Sequence, residues 1–250
     1  MTDVLRTQAL SKRFGGFVAN SGIDLRLERG VRHALIGPNG AGKTTFVNLL
    51  TGVLTPTSGE VFLGDERVTH LPQNQRVKRG LSRTFQINTL FPGLTVLESV
   101  VLAISERRGQ SYVWHQTVAE QREVIQEARE LLGRLSLSSE ADNLTKHLAY
   151  GKQRLVEIAL ALATRPSVLL LDEPAAGIPT EASAELFGVL SRLPREVSVL
   201  LIEHDMDIVF RFAERITVLA AGAVLTEGTP EEVAADPRVR EVYLGEAEHD

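Results

Sequence analysis

The run GPNGAGKTT, Gly37 to Thr45, fits G-x-x-x-x-G-K-[ST] at every specified position. The chemistry of this pattern is phosphate binding by main chain. Gly37, Gly40 and Gly42 admit positive φ and close backbone approach. N–H groups of the loop, which also holds Pro38, Asn39 and Ala41, then turn inward at a helix N-terminus, where phosphate oxygens accept from them. Lys43 is expected to reach the β- and γ-phosphates and the Thr44 hydroxyl to ligate Mg2+, with Thr45 closing the run. A glycine-rich turn that only enters a helix is the alternative. The flanks favour the phosphate loop, because HALI before it reads as a strand and TFVNLL after it as a helix.

VLLLDEP, Val168 to Pro174, carries the complementary chemistry. An apolar strand delivers Asp172 to its carboxyl end, where a carboxylate holds Mg2+ through its water shell. Glu173, one residue on, is placed to polarise an attacking water. A strand that simply ends in two solvated acids is the alternative, and a phosphate loop in the same chain weighs against it.

The elements that must position these groups follow from periodicity. VLRTQAL and GIDLRLERG alternate as strands, with NSG and ERG as turns, and EVFLGDERV reads as a hairpin. VRHALIG is a short apolar run ending in glycine, and TTFVNLLTGVL follows with helical spacing. SVLLLDEP and VSVLLIEHD are continuous apolar runs ending in acids, as suits strands buried on both faces of a parallel sheet; RITVLAAG joins them. TEASAELFGVLSRL and MDIVFRFAER separate them as helices. Ligands of such sheets gather at the carboxyl ends of the strands. Residues from about 92 to 163 differ: LTVLESVVLAIS and VAEQREVIQEARELLGRL are helical, the second with Val124, Ala128, Leu131 and Leu135 on one face. This predicts a helical insert. The end, from about 229 to 250, reads as one or two short helices with an acidic terminus.

With 250 residues, 43% of them hydrophobic, the chain suits one large α/β domain with an insert. Lys and Arg number 27 against 32 Asp and Glu, a net charge of −5 that argues against nucleic acid as partner. The chain has no cysteine, so disulfides and thiolate metal sites are excluded. No basic leader followed by a long apolar segment opens it. No window approaches the roughly 20 apolar residues that span a bilayer, so membrane work requires a partner.

Together with LAYGKQ directly before the helix that leads into VLLLDEP, the two motifs resemble the ATP-binding subunit of ABC transporters, over nearly the whole chain. The resemblance implies a P-loop NTPase core of RecA type with a mixed and mostly parallel sheet, an N-terminal antiparallel β subdomain and an inserted helical subdomain. It implies ATP hydrolysis with ATP and Mg2+ as cofactors. Phe14 of KRFGG matches the aromatic that stacks on adenine. Gln86 of SRTFQ matches the glutamine that senses the γ-phosphate, ligates Mg2+ and faces the membrane subunit, and His204 of LIEHDM matches the switch histidine. Singly, Phe14 also suits a core position, Gln86 a surface amide and His204 a core or solvated site. Leu148, Ala149, Tyr150, Gly151, Lys152 and Gln153 take the place of the signature motif, usually LSGGQ, which meets the ATP of a second subunit; AAGIPTE matches the D-loop. Implied partners are a second ATP-binding subunit, transmembrane permeases and, indirectly, a solute-binding protein, with the chain on the cytoplasmic face of the membrane. His33, His70, His115, His147 and His249 lack ligand spacing, and Trp114 is left between helical packing and a partner contact.

LSRTFQINTLFPGLTVLESV, IEHDMDIVF and DPRVREVYLGE resemble the branched-chain amino-acid importers in particular. The lipopolysaccharide-export ATPase shares the VYLGE tail and the EPAAG form but lacks RTFQ. Other classes stay open: a soluble ABC clamp of repair or translation, which usually carries coiled coils, zinc modules or tandem cassettes; a non-hydrolysing interaction module, against which Lys43, Asp172 and Glu173 weigh; and a P-loop kinase. Three positions depart from the family pattern. Ala149 replaces the signature serine, Lys152 its glutamine, and Pro179 stands where relatives carry the D-loop aspartate. The loss of one hydroxyl and gain of one cation predict a weakened signature rather than a dead one.

Overall fold

The computed structural model describes residues 2–84, 90–109 and 118–244; Gln86, Trp114, His115 and His249 lie outside these. In chain order the elements are β1 (Asp3–Phe14), β2 (Phe17–Ile23), β3 (Arg26–Glu28), β4 (Arg32–Ile36), α1 (Lys43–Thr51), β5 (Ser58–Leu63), β6 (Glu66–Arg67), α2 (Gln73–Lys78) and β7 (Leu81–Arg83). There follow α3 (Val96–Arg107), α4 (Val118–Arg134), α5 (Tyr150–Ala163), β8 (Val168–Asp172), α6 (Thr180–Leu190), β9 (Ser198–Ile202), α7 (Met206–Phe212), β10 (Arg215–Ala220), β11 (Ala223–Gly228), α8 (Pro230–Ala235) and α9 (Pro237–Leu244). They form two compact units. One comprises Met1–Arg83, Ser167–Glu173 and Pro194–Asp250; the other comprises Thr84–Pro166 and Pro174–Leu193.

The first unit holds two sheets. The larger has the order β11-β10-β4-β9-β8-β7, parallel from β10 to β7, with β11 antiparallel at the edge. Every residue of β4, β8 and β9 is buried, as continuous apolar runs in a sheet covered on both faces require. One face packs Leu35, Leu170 and Leu200 against Phe46, Leu49 and Leu50 of α1. The other packs Ala34, Ile36, Ile216 and Val218 with Val209 of α7, Val233 of α8 and Val239 of α9. The smaller sheet runs β2-β1-β5-β6, antiparallel, with β3 also pairing β1.

The predicted turn NSG is instead part of β2. Asn20 is buried, and its amide donates to the Gly42 carbonyl at 3.2 Å. Pairing with β1 and this anchor override the turn-forming composition. Three further elements carry no clear period and escape the sequence reading: α2, the three-residue β7 and the edge strand β11. The last is joined to β10 by a two-residue loop in which Ala221 and Gly222 both have positive φ, the backbone that tight hairpins favour.

α1 is held at its far end by a buried cation. Arg76 of α2 donates to the carbonyls of Leu49 and Leu50 at 2.7 and 2.6 Å and to those of Thr69 and Leu71 at 2.7 and 2.9 Å. These carbonyls include ones that no helical N–H reaches. Burial lowers the guanidinium pKa to about 10, so it stays charged.

In the second unit, α3 begins with a capping box in which Thr95 accepts from the Glu98 N–H and Glu98 accepts from the Thr95 N–H. α4 buries Val124, Ala128 and Leu132, and Leu135 just past its end is buried with them. Leu132, rather than the expected Leu131, completes the stripe, because the helical repeat drifts past three residues per turn. Glu127 gathers Arg107, Arg108 and Arg165 within 2.9 Å.

Candidate nucleotide site

β4, β9 and β8 are adjacent and parallel, so their carboxyl ends share one edge. The phosphate loop follows Ile36, His204 follows β9 by two residues, and Asp172 ends β8. With strands about 5 Å apart, His204 issues between the loop and the acid. Separate segments of sequence thus converge on one rim.

The loop needs its glycines for space as well as conformation. Gly37 has φ 151°, and a Cβ there would lie 2.2 Å from the Leu219 carbonyl oxygen. Gly42 has φ 96°, and a Cβ there would meet the Ala19 carbonyl oxygen at 2.5 Å. The main chain is therefore pressed against β10 and β2. α1 starts at Lys43 without a side-chain cap, so its first-turn N–H groups face the loop, as an anion at a helix N-terminus requires. The Lys43 ammonium lies over the loop and donates to the carbonyls of Gly37 and Pro38. Thr44 is exposed on the first turn, Thr45 half-buried beside it.

Asp172 is buried, and its Oδ2 accepts from Arg83 Nη2. The other arm of that guanidinium, Nη1, donates to Asn48 Oδ1 at 2.8 Å. Asn48 lies four residues after Thr44, on the same face of α1. Neither Arg83 nor Asn48 was singled out from the sequence, although RTFQ contains the arginine. Glu173 has φ 46°, outside the range a glutamate prefers, and its N–H is fixed to the Ile202 carbonyl at 2.9 Å. Such strain costs of order 1–3 kcal/mol and gathers at functional positions. His204 is exposed, with its ring Nδ1 3.8 Å from the buried Glu203 carboxylate, which also accepts from the His204 N–H at 3.2 Å. Phe14 is 48% exposed at the end of β1, directly opposite Phe17 and beneath the Lys12 ammonium at 5.1 Å. Core burial is thereby ruled out for both Phe14 and His204.

The signature segment belongs to the second unit. Leu148 is buried and extended, and Ala149 is the N-cap of α5, with no side-chain hydrogen bond. The Ala149 carbonyl accepts from the N–H of Lys152 and of Gln153 at 2.9 and 3.0 Å, and the Gln153 amide turns back to the Leu148 carbonyl at 3.0 Å. The Tyr150 hydroxyl accepts from Arg154 at 2.7 Å, and Arg154 is paired with Glu157 at 2.8 Å, both nearly buried. A Cβ on Gly151 would lie 3.1 Å from that of Ala182 on α6, so glycine also allows close helix packing there. The cation expected at Lys152 is not presented bare: its ammonium is bound by Glu185 at 2.7 Å. Pro179 is the N-cap of α6, which accordingly has no side-chain cap.

A phosphate loop between a buried parallel strand and a helix, with an acid at the end of the next strand but one in the same sheet, defines a P-loop NTPase. Residues 20–176 match the family model described as ABC transporter, and residues 223–249 match that described as branched-chain amino acid ATP-binding cassette transporter. The chain belongs to the ABC transporter family, as an ATP-binding and ATP-hydrolysing subunit. It is 39% identical to the high-affinity branched-chain amino acid transport ATP-binding protein BraF of Pseudomonas aeruginosa, over 98% of either chain. Among solved structures it is similar to the ADP conformation of MJ1267, an ATP-binding cassette of an ABC transporter, with a TM-score of 0.85 and 31% identity over 98% of this chain and 100% of that one. It is also similar to the dimeric post-hydrolysis state of the ATP-binding cassette MJ0796 bound to ADP and Pi, with a TM-score of 0.74 and 26% identity over 90% and 98%. Among the described residues no helix is long and apolar enough to cross a membrane.

Proposed function

We propose that the chain powers uptake of branched-chain amino acids, working as a pair of cassettes under permease subunits at the inner face of the cell membrane. What supports the solute class is the full-length likeness to BraF, together with the match of residues 223–249 to the branched-chain cassette model. In this reading residues 1–250 are one nucleotide-binding domain. The helical insert, about 92–163, and Gln86 receive the permease, and the tail is about 229–250. A solute-binding protein delivers the amino acid on the far side.

The donor set fits Mg2+. Among the described residues there is no group of three or more His, Cys, Asp or Glu that could form a metal cage. A hydroxyl on Thr44 and a carboxylate on Asp172 are the sparse oxygen donors with which Mg2+ keeps its waters and takes phosphate oxygens. Thr44, Asp172 and Gln86 would hold it, and when bound it would neutralise charge on the phosphates. Phe14 stacks on the base, and Gly37 to Thr45 enclose the phosphates, with Lys43 on the β- and γ-groups. Glu173 polarises the attacking water, and His204 orients it against the γ-phosphate. Leu148 to Gln153 face the ATP held by the other cassette, so neither half-site is complete alone and nucleotide favours the closed pair.

The test is uptake of labelled leucine into vesicles carrying the assembled transporter, with Glu173→Gln as the variant. ATP binding is expected to persist, paired cassettes to accumulate, and hydrolysis and uptake to fall by roughly 10²–10⁴, the range of a general base. Near-normal turnover in the variant removes Glu173 from this role. An active wild-type transporter that ignores leucine, isoleucine and valine overturns the solute assignment.

A further inference from the structure

Arg83 is the least expected charge in the site. Its side chain is 11% exposed and that of Asp172 only 3%, so the pair is nearly out of water. The guanidinium spans the two elements read here as metal-binding. One arm takes Asp172 at the end of β8, and the other takes Asn48, one turn behind Thr44 on α1. Its Nε is buried without a partner, and no second carboxylate holds it among the described residues. The registry of β7 against β8 makes this reach possible, since Arg83 pairs with Leu170, two residues before the acid. Among the described residues, Arg83 is the cation that pairs with Asp172.

Resting on the reading of Asp172 and Thr44 as ligands of a divalent cation, we propose that Arg83 is a positioning residue that competes with that cation for Asp172. It supplies the buried carboxylate with a counter-charge and an orientation, and the cation with its water shell must share Asp172 with it. A single and a double positive charge a few ångströms apart repel strongly in a site shielded from water. Arg83 therefore lowers the affinity for Mg2+ while stabilising the chain without it. An ordinary structural ion pair does only the second.

Thermal unfolding of the full chain separates the two. Wild type, Arg83→Met, Arg83→Gln and Arg83→Lys are melted with saturating ADP, once in EDTA and once in excess Mg2+. The quantity read is the rise in Tm on adding Mg2+. Met and Gln are expected to melt lower in EDTA, because removing one partner leaves a buried charge exposed to an apolar surround. Their Mg2+ rise is expected to exceed that of wild type by about 3–5 °C, which corresponds to a roughly tenfold tighter cation in a chain of this size. Lys, which keeps the charge, is expected to stay near wild type. Should Met fail to fold, Gln carries the same comparison with a smaller change in polarity. Melting points that fall equally in EDTA and Mg2+ overturn the proposal, and so does a narrowed rise. A wild-type chain in which Mg2+ adds nothing to ADP overturns the metal reading itself, and is recognised without any variant.

Discussion

Replacing Ala149 by Ser puts a hydroxyl at the N-cap of α5, where no side-chain cap hydrogen bond is made. The backbone is already in the extended conformation of a cap, φ −58° and ψ 149°, so no rearrangement is required. The serine oxygen accepts from the N–H of Gly151 or Lys152, the second and third residues of the helix, and such a cap is worth about 1 kcal/mol over alanine. For a chain of this length that raises Tm by about 2–4 °C. In the proposed pair of cassettes the hydroxyl proton remains available to the γ-phosphate held by the other one. A hydrogen bond to a charged group contributes roughly 1.5–3 kcal/mol, so closure or turnover rises about tenfold to a hundredfold. Glycine separates the two effects, since at an N-cap it falls only a few tenths of a kcal/mol short of serine and has no hydroxyl. Thermal unfolding of the chain alone and steady-state ATPase of the assembled transporter are the assays. Ser and Gly are both expected to raise Tm, and only Ser to raise turnover. An unchanged Tm in both refutes the cap, and equal turnover in all three refutes the phosphate-facing role of this segment.

Lys43→Ala removes an ammonium that braces the loop carbonyls and is proposed to reach the phosphates. Nucleotide affinity, read by fluorescent ATP titration, is expected to fall roughly tenfold to a hundredfold, and an unchanged affinity defeats the phosphate-site assignment. His33 gives a pH signature. Its Nε2 lies 2.7 Å from the Thr217 hydroxyl, which itself donates to Glu227 at 3.0 Å, so the ring nitrogen is the donor. Burial, partly opposed by Glu227 and reinforced by Arg215, depresses the pKa to about 4. The unfolded chain takes up a proton below about 6.5 and the folded one only below about 4, so stability is full above the first value and declines between them, by about 3 kcal/mol at most. His33→Gln is expected to melt with a shallower slope over that interval; a slope identical to wild type sinks the assignment.

The phosphate loop was legible because its chemistry is done by contiguous main chain, so a local run of glycines, lysine and threonine states it in full. Asp172 and Glu173 were legible because a strand buried on both faces has no polar residues until it emerges at the sheet edge. Arg83 was not, since its contact with Asp172 depends on the registry of β7 against β8, and three residues carry no period. Asn20 illustrates the opposite failure. Its local signal says turn, and the long-range pairing of β2 with β1 overrules it. The hairpin of β10 and β11 was hidden for a related reason, as its left-handed loop is made by Ala221 and Gly222 rather than by the asparagine or aspartate that usually marks such turns. Exposure of Phe14 and His204 likewise required the tertiary fold, because an aromatic and an imidazole are equally at home in a core.

Glu173 sits in a conformation that glycine adopts without penalty. On backbone strain alone, glycine at this position would relieve a cost of order 1 kcal/mol. With the role proposed for Glu173, backbone relief and turnover pull residue 173 in opposite directions. Selection for robustness alone, as in laboratory evolution toward heat tolerance, would drift toward a cassette that still grips nucleotide and no longer cycles.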